Sequence, residues 1–233
     1  MKRFAIIVAV MMTGLLAHAQ TINDPNAEPR TVESFHGINV SNAFDVYLSQ
    51  GNEEGLAVSS SDKDYISMIT TEVRNGILFI GVERGKWNKG NKKLKAYISF
   101  KKLDKINISG ACDVFINNVL KGTDLKIDMS GASDMKGKIE VTNLDVDISG
   151  ASDMTISGKA AQLKIDASGA SNFKGENFSV DYCTADASGA SDVKITVNKE
   201  LSANVSGASD LRYKGEGLIR DIRTSGAGSV KRI

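Results

Sequence analysis

Leu144-Asp145-Val146-Asp147-Ile148-Ser149-Gly150-Ala151-Ser152-Asp153-Met154 is one turn of a pattern that this chain repeats. Apolar residues alternate with polar ones up to the serine, then Ser-Gly-Ala intervenes, and an apolar residue returns five after the serine. The tripeptide recurs at Ser109, Ser130, Ser149, Ser168, Ser188, Ser206 and Ser225, at spacings of 21, 19, 19, 20, 18 and 19 residues. Self-similarity at a period near twenty is the mark of a solenoid. Before the tripeptide stand Leu125, Ile127, Met129; Leu144, Val146, Ile148; Leu163, Ile165, Ala167; and Leu201, Ala203, Val205. After it come Val114, Met135, Met154, Phe173, Val193, Leu211 and Val230. A period of two argues strand, and no helical stripe or leucine-rich spacing competes with it. The predicted fold is all-β: a parallel β-helix with coils of about 19 residues, like residues stacking about 4.8 Å apart.

A coil must bend between its faces, and Ser-Gly-Ala is read as that bend. Glycine admits unusual backbone angles and close chain approach, alanine keeps the column narrow, and serine caps freed backbone groups. Seven recurrences argue against a catalytic nucleophile elbow, since an active site need occur only once.

Outside the regular region at 109–229 the chain divides as follows. Lys2 and Arg3, the apolar run Phe4–Leu16 and Ala17-His18-Ala19 have the form of a signal peptide over residues 1–19. The chain is therefore expected to be exported, to the periplasm, outer surface or medium. No later run is long enough for a membrane span. Residues 20–34 are polar, hold Pro25 and Pro29, and are expected to be a flexible tail. Residues 35–229 are expected to form a single β-helix domain, with irregular first coils over 35–108. Val40-Ser41-Asn42-Ala43-Phe44-Asp45-Val46 is a degraded copy of Ile108-Ser109-Gly110-Ala111-Cys112-Asp113-Val114, and Val58-Ser59-Ser60-Ser61-Asp62 reads as another. Asn75-Gly76 signals a hairpin turn.

Of 29 basic residues, Lys2 and Arg3 lie in the leader, leaving 27 against 28 acidic ones. Near-neutrality gives no field that favours nucleic acid. Cys112 and Cys183 fall more than three coils apart, roughly 15 Å, beyond disulfide reach.

Several motifs, in order, resemble the head GIN domain family of putative auto-transporter adhesins, widespread in Bacteroidetes. They are His36-Gly37-Ile38-Asn39-Val40, Asp45-Val46-Tyr47-Leu48-Ser49-Gln50-Gly51, Asp64-Tyr65-Ile66, Asn75-Gly76-Ile77-Leu78 and Leu103-Asp104-Lys105-Ile106-Asn107-Ile108-Ser109-Gly110. The resemblance spans residues 35–229. It implies a β-helical fold in the envelope or outside the cell, and it brings no active site. Right-handedness rests on it and on the general crossover preference.

Two candidate sites emerge. Acidic residues four after each serine include Asp134, Asp153, Asp192 and Asp210, a column in which calcium would fit between coils. The competing reading is a structural ladder neutralised by Lys136, Lys174, Lys194, Arg212 and Lys231, two residues further on. A second acidic column lies two before each serine, at Asp128, Asp147, Asp166 and Asp186. The other site is the loop with Lys86, Trp87, Lys89, Lys92 and Lys93, suited to acidic polysaccharide or anionic headgroups; its competing reading is a solvated loop. With one histidine after the leader, His36, catalytic triads have little material. The expected function is a non-enzymatic, adhesin-like or structural envelope module without a cofactor, binding polysaccharide or other envelope components. A carbohydrate-active β-helix enzyme and a self-associating scaffold are the alternatives, and the oligomeric state stays open.

Overall fold

The computed structural model describes residues 23–83, 85 and 93–233. Its strands are β1 (Glu28–Arg30), β2 (Gly37–Val40), β3 (Phe44–Gln50), β4 (Gly55–Ser60), β5 (Ile69–Arg74), β6 (Ile77–Val82), β7 (Leu94–Phe100), β8 (Lys105–Ile108), β9 (Asp113–Lys121), β10 (Asp124–Met129), β11 (Asp134–Ile148), β12 (Asp153–Ala167), β13 (Asn172–Ala187), β14 (Asp192–Val205), β15 (Asp210–Lys214), β16 (Leu218–Thr224) and β17 (Ser229–Arg232). From β8 onward every pairing is parallel and in register with the repeat. Leu125 sits on Leu144, Leu144 on Leu163, Leu163 on Cys183 and Cys183 on Leu201. The expected parallel β-solenoid is therefore the fold.

Each coil has two strand runs. The run after Ser-Gly-Ala stacks Asp113, Asp134, Asp153, Asn172, Asp192, Asp210 and Ser229. The run before it stacks Asn107, Asp128, Asp147, Asp166, Asp186, Asn204 and Arg223. Between the runs lies a thin apolar core whose columns are almost wholly buried, Val114, Met135, Met154, Phe173, Val193 and Leu211 among them. Thin layers explain why few aromatics suffice.

The tripeptide is the corner. Gly131, Gly150, Gly169, Gly189 and Gly207 all have φ between 71° and 86°. A Cβ on Gly150 would lie 2.4 Å from the Gly131 carbonyl oxygen, so the position excludes side chains for two independent reasons. The ladder continues through the bend: Ala132, Ala151 and Ala170 N–H donate to the glycine carbonyl of the coil before, at 2.7–2.8 Å. Asn42, at φ 77°, takes the glycine's place in the degraded copy, and the Ala111 N–H donates to its carbonyl at 2.7 Å.

Capping differs from the expectation. The serine that repeatedly does it is not the one opening the tripeptide but the one three residues later. Ser133, Ser152, Ser171, Ser191 and Ser209 are fully buried in one column, with Cys112 at its head. The hydroxyls of Ser133, Ser171 and Ser191 donate to the carbonyls of Ser130, Ser168 and Ser188 at 3.2, 3.0 and 2.9 Å. An inward serine is tolerated because the bend itself supplies its acceptor. Cys183 stacks in an apolar column instead; both cysteines are free and buried, and burial pushes the Cys183 thiol up to about 12.

The first third departs from sequence order. β2 and β3 form a coil that lies inside the stack, between β6 and β7 on one side and β8 and β9 on the other. The Val58–Asp62 stretch is not a further coil: β4 runs antiparallel against β7, and a 3-10 turn over Lys63–Met68 follows. The hairpin at Asn75-Gly76 is present, joining antiparallel β5 and β6, with both turn residues at positive φ. Where a flexible tail was expected, Glu28–Arg30 pairs antiparallel with β4. The Arg30 guanidinium donates to the Ile66 carbonyl and the Asn26 amide to that of Ser60, which together dock this segment over the end of the stack.

Two glycines at similar φ separate the two reasons for the corner. Gly150→Ala should cost about 3 kcal/mol, positive-φ strain plus the blocked approach to Gly131. At Gly85 (φ 80°) an added Cβ would meet nothing within 4 Å, and its alanine variant should cost only about 1 kcal/mol. Urea unfolding of both checks this; equal losses would remove close approach as a determinant.

Candidate functional site

The run after the corner carries the richest outward chemistry. Alternation sends Val114 and its column inward, so the residues on either side of it face solvent. Two positions beyond the acidic column stand Tyr97, Tyr47, Phe115, Lys136, Thr155, Lys174, Lys194, Arg212 and Lys231, in that order up the stack. The three aromatic rings stack, Tyr47 on Tyr97 at 5.1 Å and Tyr47 on Phe115 at 5.3 Å between centroids. The sequence held a signal for this: Tyr47 and Phe115 lie six after Ser41 and Ser109, the phase of the basic column. Tyr97 follows no Ser-Gly-Ala copy, so nothing in the chain marked it.

Acidic and basic side chains pair at several points along this run. Lys174 Nζ lies 2.7 Å from Asp153, which also accepts from the Asn172 amide at 2.6 Å. Arg212 reaches Asp210 at 2.8 Å, and Lys194 reaches Glu176 at 3.4 Å. Burial opposes ionisation of Asp153, yet the bonds from Lys174 and Asn172 hold it below its ordinary value. Asp210 is likewise lowered, chiefly by the Ser229 hydroxyl. Asp113, at the other end, is raised by burial and by the charges of Asp134 and Asp45. Asp134 stacks on Asp153, and Asp192 on Asp210. Among the described residues no three His, Cys, Asp or Glu side chains converge as a metal site.

The opposite run is less balanced. Asp128, Asp147, Asp166 and Asp186 stack consecutively. Lys126 meets Asp128 at 3.4 Å and Asp145 at 4.0 Å. Asp147 is raised by burial and then by Asp166 and Asp128. A shallow depression of about 320 Å³ lies here, beside Asn107, Asp128 and Asp147. A longer groove of about 680 Å³ follows the second corner, past Lys121, Glu140, Lys159 and Asp181. Both are open to solvent.

Of the loop candidates, Lys86, Trp87, Lys89 and Lys92 lie outside the described residues. Lys93 is exposed, and its N–H donates to the Ser61 hydroxyl at 3.2 Å. It leads directly into β7, whose outward side chains Lys95 and Tyr97 are tied down by Asp24: the Tyr97 hydroxyl donates to Asp24 at 2.9 Å and Lys95 pairs with it at 3.3 Å. Burial raises the Tyr97 phenol, as does this carboxylate.

Residues 34–217 match the family model of the putative auto-transporter adhesins, head GIN domain. The chain belongs to this family. A putative adhesin of Bacteroides fragilis is similar in fold, at TM-score 0.81 and 23% identity, over 89% of this chain and 96% of that one. A putative adhesin of Parabacteroides merdae follows at TM-score 0.72 and 20% identity, over 89% and 95%. A Parabacteroides distasonis protein named as a putative lipid binding protein gives 0.66 and 20%, over 90% and 98%. Among curated proteins nothing matches the chain. At these identities the solved structures speak for the fold of a head GIN domain alone.

The two ladders should respond oppositely to neutralisation. In Asp147→Asn a like-charge repulsion disappears, and the melting temperature should rise by about 1 °C. In Asp153→Asn a paired charge disappears, and it should fall by about 1–2 °C at neutral pH. Because the Asp153 carboxyl is lowered, its contribution is present above the ordinary carboxylate value of 3.8 and is lost as pH falls below it. The two variants should therefore converge with the parent in strong acid. Scanning calorimetry across pH reads this, and same-sign shifts would refute the assignment of the ladders.

Proposed function

We propose that this head GIN domain chain is exported and acts at the cell envelope as a non-enzymatic module that binds extended polysaccharide. The face that receives the polymer is the run after the Ser-Gly-Ala corner, and the Lys86–Lys93 segment takes part in binding. One observation carries the proposal: stacked Tyr97, Tyr47 and Phe115 continue in register into the paired Asp–Lys ladder, a flat face periodic along the stack. A periodic face suits a periodic ligand, which meets several equivalent positions at once. Paired charges present fixed donors and acceptors to sugar hydroxyls without a net field. Family membership supports a surface role, and no helix among the described residues is long and apolar enough to cross a membrane. The leader read at residues 1–19 supplies the export, and it lies outside the described residues. The Asp columns act as structural ladders and take no cation.

Affinity electrophoresis against a panel of neutral and acidic polysaccharides tests the proposal. Retardation by at least one polymer is expected. Replacing Lys86, Trp87, Lys89, Lys92 and Lys93 by alanine should weaken it about tenfold, as should Tyr47→Ala. Polymer length should stay unchanged, with no ultraviolet signal of unsaturated products, and millimolar calcium should leave melting unaffected. Shortened polymer would establish the enzyme instead, and undiminished retardation of both variants would move the site elsewhere.

A further inference from the structure

The two ends of the stack are built differently. At the first end β1 carries Pro29, which removes an edge donor, and the 3-10 turn over Lys63–Met68 buries Tyr65 and Ile66. At the other end, among the described residues, β16 pairs only with β14 and β17 only with β15, so each leaves one row of N–H and C=O groups without a described strand. Four large apolar side chains are exposed among the described residues, and three of them are here: Leu218 (74%), Ile219 (54%) and Ile233 (55%). They share a corner. The Ile233 N–H donates to the Tyr213 carbonyl at 2.9 Å, and Tyr213 leads into the Gly215–Gly217 bend from which Leu218 and Ile219 emerge. Around them, residues 214–233 hold five basic side chains, Lys214, Arg220, Arg223, Lys231 and Arg232, against Glu216 and Asp221. Arg220 and Arg223 pair with Glu200 and Asp221, at 2.7 and 3.0 Å, in highly exposed positions that leave their remaining donors to solvent.

We infer that this end of the stack docks on an anionic lipid surface. Apolar side chains ringed by lysine and arginine suit the headgroup boundary of a bilayer, where the apolar groups sit shallowly and the cations meet phosphate. Edge N–H groups find acceptors in the same phosphates. The edge's unpaired carbonyls keep the contact at headgroup depth, since they have no partner in hydrocarbon. A second copy fits less well. End to end, it would set the basic rims against each other. Head to tail, it would meet an end where no large apolar side chain is exposed among the described residues. The docking goes beyond the polysaccharide proposal, and it uses the tip of the stack where that proposal uses a side.

Vesicle co-sedimentation of residues 20–233 tests it; the apolar leader is omitted because it would itself bind lipid. The chain should sediment with mixed phosphatidylcholine–phosphatidylglycerol vesicles at low salt, and not with phosphatidylcholine alone. Arg223→Gln with Arg232→Gln should weaken binding about 25-fold, roughly fivefold per charge. Leu218→Ser with Ile233→Ser, the two most exposed of these side chains, should weaken it about tenfold or more with the melting temperature kept. No binding to the anionic vesicles, or binding that neither pair alters, would overturn the inference. So would light scattering that shows an oligomer dispersed by these same substitutions, which would assign the tip to a second copy. Polysaccharide retardation should survive both pairs, so either proposal can fail without the other.

Discussion

Successive backbones approach at the glycine corner as closely as hydrogen bonding allows, and the rest of the molecule follows from that contact. The N–H of Ala151 reaches the carbonyl of Gly131 at 2.7 Å across a bend whose glycines lie near φ 80°. A side chain on Gly150 would enter the space that this bond needs. With the bend fixed, each coil repeats at strand spacing, and each outward residue falls over its counterpart one coil away. The columns are a consequence: inward ones of valine, isoleucine, leucine and methionine, a buried one of serine, and outward ones of charge.

Stacking of like with like turns a one-residue choice into a property of a whole face. An aspartate repeated up a column repels itself at about 4.8 Å spacing unless something intervenes. On one face, against burial, Lys174 from the next coil and the Asn172 amide hold Asp153 low, and the Ser229 hydroxyl with Arg212 holds Asp210 low. On the other, Asp147 is raised by burial and then by the carboxylates above and below it. The same stacking gathers Tyr47, Tyr97 and Phe115 into one group from three distant stretches of chain. A coil stack so regular has little room for an enclosed site, which leaves its faces and its ends as the surfaces open to a partner.

Much of this was legible in the chain because the repeat writes each position several times. The corner, the inward columns, the interlocking charges and the separation of Cys112 from Cys183 all follow from period and phase. Most of what escaped lies where repetition stops, and the exception is a column. The buried serine column was hidden because an inward hydroxyl breaks the alternation rule, and only the carbonyl of the bend makes it tolerable. The antiparallel course of β4 was hidden because Ser59-Ser60-Ser61 imitates a corner without its glycine. The docking of residues 24–30 depends on contacts from Asp24 to Tyr97 and Arg30 to Ile66, which no local pattern announces. The exposed tip was marked only by Leu218-Ile219, two adjacent apolar residues where Asn143-Leu144, Gln162-Leu163 and Glu200-Leu201 pair a polar residue with an apolar one.

Polymer recognition on one face of the stack is tested most directly by amide chemical-shift mapping with the polysaccharide that binds most tightly. Perturbations are expected in outward residues near Asp45–Tyr47, Lys93–Tyr97 and Asp113–Phe115, continuing towards Lys136, with the opposite run at Asp128, Asp147 and Asp166 unmoved. Perturbations centred on that opposite run, or spread evenly over both faces, would contradict this placement.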